Sequence, residues 1–322
     1  MSQPEQAPPQ YPISGWVEAF AYTLAIAVLS ISYVVGQQWG AQPIAFILYA
    51  MLFSAVVLLA VTGMGPDAVA IMLAPQSWLV GIGIIGIEIA YYILLDYVAP
   101  AHGSLLVRLA IPFSVVAGWA LFSRRPRRLA AMGAAVVFLG IVPLLLTIAP
   151  EHRAGGILAG VAAASMSTLR SFAAEFHPWN RRAVTVMEKL RITGLLVLVT
   201  SVASLVLAAL VAILIAAGLV PPISLMPTRV QMTHGPTILL AFLVGSLILT
   251  TMAVLSFSAV VKITTENVMA VHAFTPVMTL LVQIAATAVG LIPAYAFDPS
   301  LMPAMGVVIL GVLMMFASAR RR

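Results

Sequence analysis

Apolar runs of about twenty residues, each closed by a short polar or proline- and glycine-bearing joint, recur along almost the whole chain. Twenty residues is about the length an α-helix needs to cross a hydrocarbon core roughly 30 Å thick. The runs fall at 15–36, 43–63, 78–97, 101–122 and 129–148, then at 155–176, 192–219, 237–261, 267–290 and 302–318. Gly40 and Pro43, Pro100, Pro126, Pro150, Pro178 and Pro236 are among the residues that punctuate the joints. The pattern predicts an all-α polytopic membrane protein of ten transmembrane helices in one membrane domain. The connection at 220–236 is the one long enough to hold an interfacial or re-entrant piece. Residues 1–14, rich in proline and glutamine, lack the basic segment of a cleavable signal and read as a disordered tail.

Composition removes the soluble alternatives. Hydrophobic residues make up 62% of the 322 and charged residues 8%, against about 25% charged in soluble domains. With no cysteine in the chain, a disulfide framework, thiol chemistry and a thiolate metal site are ruled out. The net charge of +6 leaves no basic face for nucleic acid, because the basic residues cluster between runs. With the N-terminus in the cytoplasm, Arg124, Arg125, Arg127, Arg128, Arg181, Arg182, Lys189, Arg191, Lys262 and Arg320 to Arg322 share that side. Arg153 and Arg229 fall outside, and Arg108 and Arg170 stay within runs. This bias places both termini in the cytoplasm of a bacterial inner membrane.

Self-similarity divides the chain in two. A slide of 140 pairs Gly15 with Gly155 and Trp39 with Trp179; a slide of 164 pairs VRLAIPFSVV (107–116) with VHAFTPVMTL (271–280). The second slide matches Pro112 to Pro276 and Arg108 to His272, and one of 171 matches Gly140 to Gly311. The expected units are a first five-helix repeat at 15–148 and a second at 155–318. Five is odd, so the second is inverted, a plan that secondary transporters use around a midplane solute site.

Five plus five runs, a proline midway along the fourth and ninth, and a glycine-marked run closing each half resemble the drug/metabolite transporter superfamily, in particular its EamA-like branch. The residues concerned are LAIPFSVVAGW (109–119), MGAAVVFLGIVPLLL (132–146), AFTPVMTLL (273–281) and MGVVILGVLMMF (305–316). The chain reads SISYVVG (30–36) where the family often has tryptophan–glycine, and SRRPRR (123–128) where a glutamate is usual. The resemblance implies a central cavity enclosed by runs 1, 3, 4, 6, 8 and 9, with 5 and 10 outside.

Ionisable groups inside the membrane cost roughly 2.5–3.5 kcal/mol each on insertion scales and ask for a reason. Arg108, one turn before Pro112, reads either as a bidentate anchor for a carboxylate or phosphate or as the ion-pair partner of Glu88. Arg170, after the small-residue stretch GVAAASMSTLRS (160–171), reads as a cavity group or as an arginine snorkelling to the headgroups. Glu88, with Tyr91 and Tyr92 on its helical face, is the candidate carrier of a coupling proton. His272, with Met269, Thr275 and Thr279 on its face, is a ligand or a packing group. Pro112 and Pro276 are the expected helix-kink residues. Glu18, beside Trp16, reads as an interface residue.

The expected function is secondary transport of a small anionic or zwitterionic metabolite, of amino-acid or organic-acid type, by alternating access, with export as the direction. Its substrate-binding residues would be Arg108, Arg170, His272, Tyr91, Tyr92 and Thr275. The partners are the solute, the lipid bilayer and protons as coupling ion, with a homodimer left open and nucleic acid excluded. HExxH, GxSxG and Walker A motifs are missing, so no enzyme, cofactor or metal is expected. The alternative is a non-transporting accessory or assembly factor acting with lipid-linked precursors.

Overall fold

The computed structural model describes residues 12–295 and 298–319. The expected tail lies outside the described residues but for its last three, and Ile13 already opens the first helix. The long helices are α1 (Ile13–Gln38), α2 (Pro43–Thr62), α3 (Pro75–Leu94), α4 (Pro100–Phe122) and α5 (Arg128–Thr147). They continue with α6 (Pro150–Phe176), α7 (Val186–Ala216), α8 (Gly235–Thr264), α9 (Thr275–Ala288) and α10 (Leu301–Ala319). Among the described residues, nine helices are long and apolar enough to cross a bilayer, and α9 is a shorter apolar helix. The chain is an all-α multi-spanning membrane protein.

The ninth run departs from the expected single helix. Helical backbone passes beyond α8 through a bend at Thr264, whose φ of 70° lies in the left-handed region, and runs on to His272. It stops at 273–274 and resumes as α9. α4 is interrupted too, by a tight 3₁₀ turn over Val107–Leu109. The two interruptions sit at equivalent places under the slide of 164, and each is followed by a proline. A proline has no N–H to give the carbonyl four residues earlier, so Pro112 releases the Arg108 carbonyl and Pro276 that of His272. The Thr275 hydroxyl takes up the His272 carbonyl at 2.7 Å. Both prolines thus stand in the first turn of a new helical segment, where a missing N–H costs little, rather than at a kink within a continuous helix.

Helix packing has a regular plan. α3 lies along α6, and α1 along the α8 segment; α2 packs on α7, and α5 on α10. Exchanging each helix for the one five places later maps these pairs onto one another. Glycines sit at matching contacts. Gly15 of α1 presses on Ile263 at the end of α8, and Gly155 of α6 on Tyr97 just past the end of α3. Gly81 of α3 meets Thr200 of α7, and Gly245 of α8 meets the Ala50 carbonyl of α2. A π-helical turn over Val244–Leu249 accompanies that second approach. α5 and α10 touch backbone to backbone at Gly133 and Gly311.

The connections are short caps. A capping box of Thr185 and Glu188 opens α7. The 220–236 connection contains only a helical turn, Arg229–Met232, and carries no re-entrant helix. It is tied to α2 by Gln42 Nε2 donating to the Leu225 carbonyl at 2.7 Å and by the Tyr49 hydroxyl donating to Met232 at 3.0 Å. Glu18 forms an ion pair with Lys262, fixing α1 to the end of α8.

Candidate functional site

Glycine determines how deeply α6 settles on α3. Gly83 faces the Arg170 backbone and Gly86 faces Met166, with no room for a side chain at either. This close approach carries Arg170 alongside Glu88, which lies a little over one turn beyond Gly83. Both residues line a cavity of about 190 Å³ enclosed by α1, α2, α3, α6, α7 and α8. Tyr22, Ser54, Ser256 and Thr193 are further polar lining groups, and His177 and Asn180 bring the cavity to the α6–α7 connection. α2 and α7 contribute walls where the family resemblance implied α4 and the ninth run. α5 and α10 contribute none, as that resemblance implied.

The broken helices reach the site through Tyr22, a lining residue of the cavity. The His272 ring packs against Tyr22 at a tilt of 34°, with ring centroids 4.5 Å apart. Arg108 is close enough to Tyr22 and Tyr91 to interact electrostatically, and His272 is similarly close to Arg108 and Arg170. Glu88 and Arg170 thus line the cavity, while Arg108 and His272 stand beside Tyr22 and line none of it. Among the described residues no ion pair joins Glu88 to either arginine. Arg108 Nε and His272 Nε2 are buried with no hydrogen-bond partner among the described residues. Arg170 is exposed on the cavity side, six residues before the end of α6.

Glu88 has a partner that the sequence did not single out. The Tyr33 hydroxyl donates to Glu88 Oε2 at 2.6 Å. Tyr91 and Tyr92, expected as donors to that carboxylate or as a wall of the site, are committed elsewhere. The Tyr91 hydroxyl pairs with Ser30 Oγ at 2.9 Å, and that of Tyr92 donates to the Ala41 carbonyl at 3.2 Å. Neither lines the cavity. Thr275 is buried and bonded to the His272 carbonyl, and Thr279 is bonded to Thr275. Tyr22 and Tyr33 were legible in principle, since eleven residues make three helical turns and put both hydroxyls on one face of α1.

No family model matches the sequence, and no curated protein is similar enough to match. A solved crystal structure does share the fold, with a TM-score of 0.58 over 96% of this chain and 99% of the other, at 21% identity. At that identity the likeness concerns architecture alone.

Proposed function

We propose that this protein is a secondary transporter of a small anionic or zwitterionic metabolite, built as two inverted five-helix repeats in the manner of the drug/metabolite transporters. The observation that carries the reading is the charge imbalance of the interior. Among the described residues, Arg170 lines the cavity beside Glu88 while Arg108, further in by Tyr22, keeps a buried Nε with no hydrogen-bond partner. A buried unpaired cation is costly, and a bound carboxylate or phosphate would offset that cost through a bidentate contact with guanidinium. A solute ammonium would find Glu88. The matching helix breaks and helix pairs support the repeat plan, in which one half rocks against the other around the solute. In this reading the basic loops face the cytoplasm of a bacterial inner membrane, Glu88 carries the coupling proton and the physiological direction is export. The protein acts as no enzyme.

The test is solute binding beside thermal stability. Arg108→Gln and Arg170→Gln should each weaken binding about ten- to a hundredfold, the loss of a charge-assisted hydrogen bond worth roughly 1.5–3 kcal/mol. Because Arg108 has no ion-pair partner among the described residues, Arg108→Gln should leave solute-free stability unchanged or higher, and adding Glu88→Gln should restore nothing. A fall in stability that Glu88→Gln rescues, with affinity intact, would assign Arg108 a structural ion pair and remove the anion site. Absence of flux for any amino or organic acid in proteoliposomes would favour the accessory-factor reading.

A further inference from the structure

Two cavities approach one another from opposite ends of the helix bundle. One is the cavity of Glu88 and Arg170, which reaches His177 and Asn180. The other, about 400 Å³, lies where α1 and α3 end and is lined by Gln37, Gln42, Tyr92, Asp96, Tyr97 and Gln231. Between them stands a knot of aromatic rings. Tyr33 is fully buried at its centre, with ring centroids 5.9 Å from Phe46, 6.2 Å from Tyr91 and 5.3 Å from Tyr92. Tyr92 packs on Phe46 at 5.5 Å, and its own ring forms part of the outer cavity's wall. One member of this knot is bonded into the inner site: Tyr33, through Glu88.

We propose that the Tyr33–Glu88 hydrogen bond is the latch that keeps the aromatic knot closed between the two cavities, so that Tyr33 is the residue coupling the solute site to the outer route. This rests on the transport reading and deepens it. The argument is one of geometry. Tyr33 touches both sides of the barrier at once, its hydroxyl on the carboxylate that lines the solute cavity and its ring on the tyrosine that lines the outer one. Any group that claims the Glu88 oxygen takes away the acceptor that holds the Tyr33 ring in the knot. A bond to a charged carboxylate is strong enough to bias a two-state barrier by one to two orders of magnitude. Tyr91 has no such role, because its hydroxyl is held by Ser30 Oγ and the Pro100 carbonyl and not by Glu88.

The absence of native cysteine allows a direct test with the full chain in oriented vesicles. Ser54→Cys places a thiol in the inner cavity, beneath the knot. A membrane-impermeant maleimide applied from the Asp96 face should label it slowly, and Tyr33→Phe should speed that labelling about ten- to a hundredfold. Labelling from the Asn180 face should change little. Glu88→Ala should reproduce the effect of Tyr33→Phe, and the double variant should add nothing. Tyr91→Phe, which loosens the same knot without touching Glu88, should label like the parent. Unchanged labelling in Tyr33→Phe, additive effects of Tyr33→Phe and Glu88→Ala, or equal opening by Tyr91→Phe would each overturn the latch. The readout needs no solute, so the latch can stand where flux assays refute transport, and can fall where they support it.

Discussion

His177 shows how a single buried group outside the membrane makes the α6–α7 corner sensitive to pH. The ring is fully buried just after α6. Its Nδ1 accepts the Asn180 backbone N–H at 3.2 Å, capping the short helix Pro178–Arg182, and its Nε2 meets Ser77 Oγ at 2.7 Å. Since Nδ1 accepts, the proton sits on Nε2 and the ring is neutral. Burial lowers the His177 pKa below the ordinary histidine value. A lowered pKa means that below about pH 6.5 the unfolded chain binds a proton that the folded ring resists. The ring's stabilisation is thus complete above that pH and falls away as pH drops through the folded value. The melting temperature should decline more steeply between pH 7 and pH 5 in the parent than in His177→Asn, which keeps a capping oxygen but cannot titrate. Parallel declines in the two proteins would refute the assignment. Residue-scale chemistry of this kind was only partly legible beforehand. Arg108, Arg170, Glu88 and His272 stood out because a charge in an apolar run is rare. Tyr33 did not, because a tyrosine in such a run is ordinary until its neighbour across the helix interface is known.

At the scale of helices, side-chain volume at the crossings decides the packing. Gly245 is the sharpest case, because any added methyl would overlap the Ala50 carbonyl of α2, and backbone cannot step aside as a flexible side chain can. Gly245→Ala should therefore destabilise the protein by about 1–3 kcal/mol, the usual cost of overpacking. Gly306→Ala on α10, where the added methyl meets open space, should be tolerated. Equal melting temperatures for the two variants in detergent would show that α2 and α8 separate more easily than their contact implies. The same scale explains where reading the runs fell short. Hydropathy located the helices well, because length and apolarity are local properties. It joined 267–290 into one span because Val271, Ala273 and Phe274 are as apolar as their neighbours. Hydropathy does not register the backbone break that Pro276 and the Thr275 hydroxyl accommodate.

For the molecule as a whole, sidedness is the property on which the transport reading depends. Ser123 and Ser224 are exposed in connections an odd number of crossings apart, the first between α4 and α5 and the second between α7 and α8. Ser123→Cys should react with an impermeant thiol reagent only from the cytoplasm, and Ser224→Cys only from the opposite face. Labelling of both from one side would remove the inverted relation of the two halves. The sequence by itself determined that this is a helical membrane protein, roughly where its helices run, and which charges its interior carries, since each follows from hydrophobic length and from the cost of burying a charge. It also held the matched pairs Arg108 and His272, Pro112 and Pro276. Only the tertiary structure decided which helices wall the cavity and that Glu88 meets Tyr33 rather than Arg108. It alone left Arg108 Nε and His272 Nε2 without partners among the described residues. Those outcomes depend on how closely α3 can approach α6 and α1, which is set by glycines such as Gly83 and Gly86 acting on residues far away in the chain, and no local pattern records that distance.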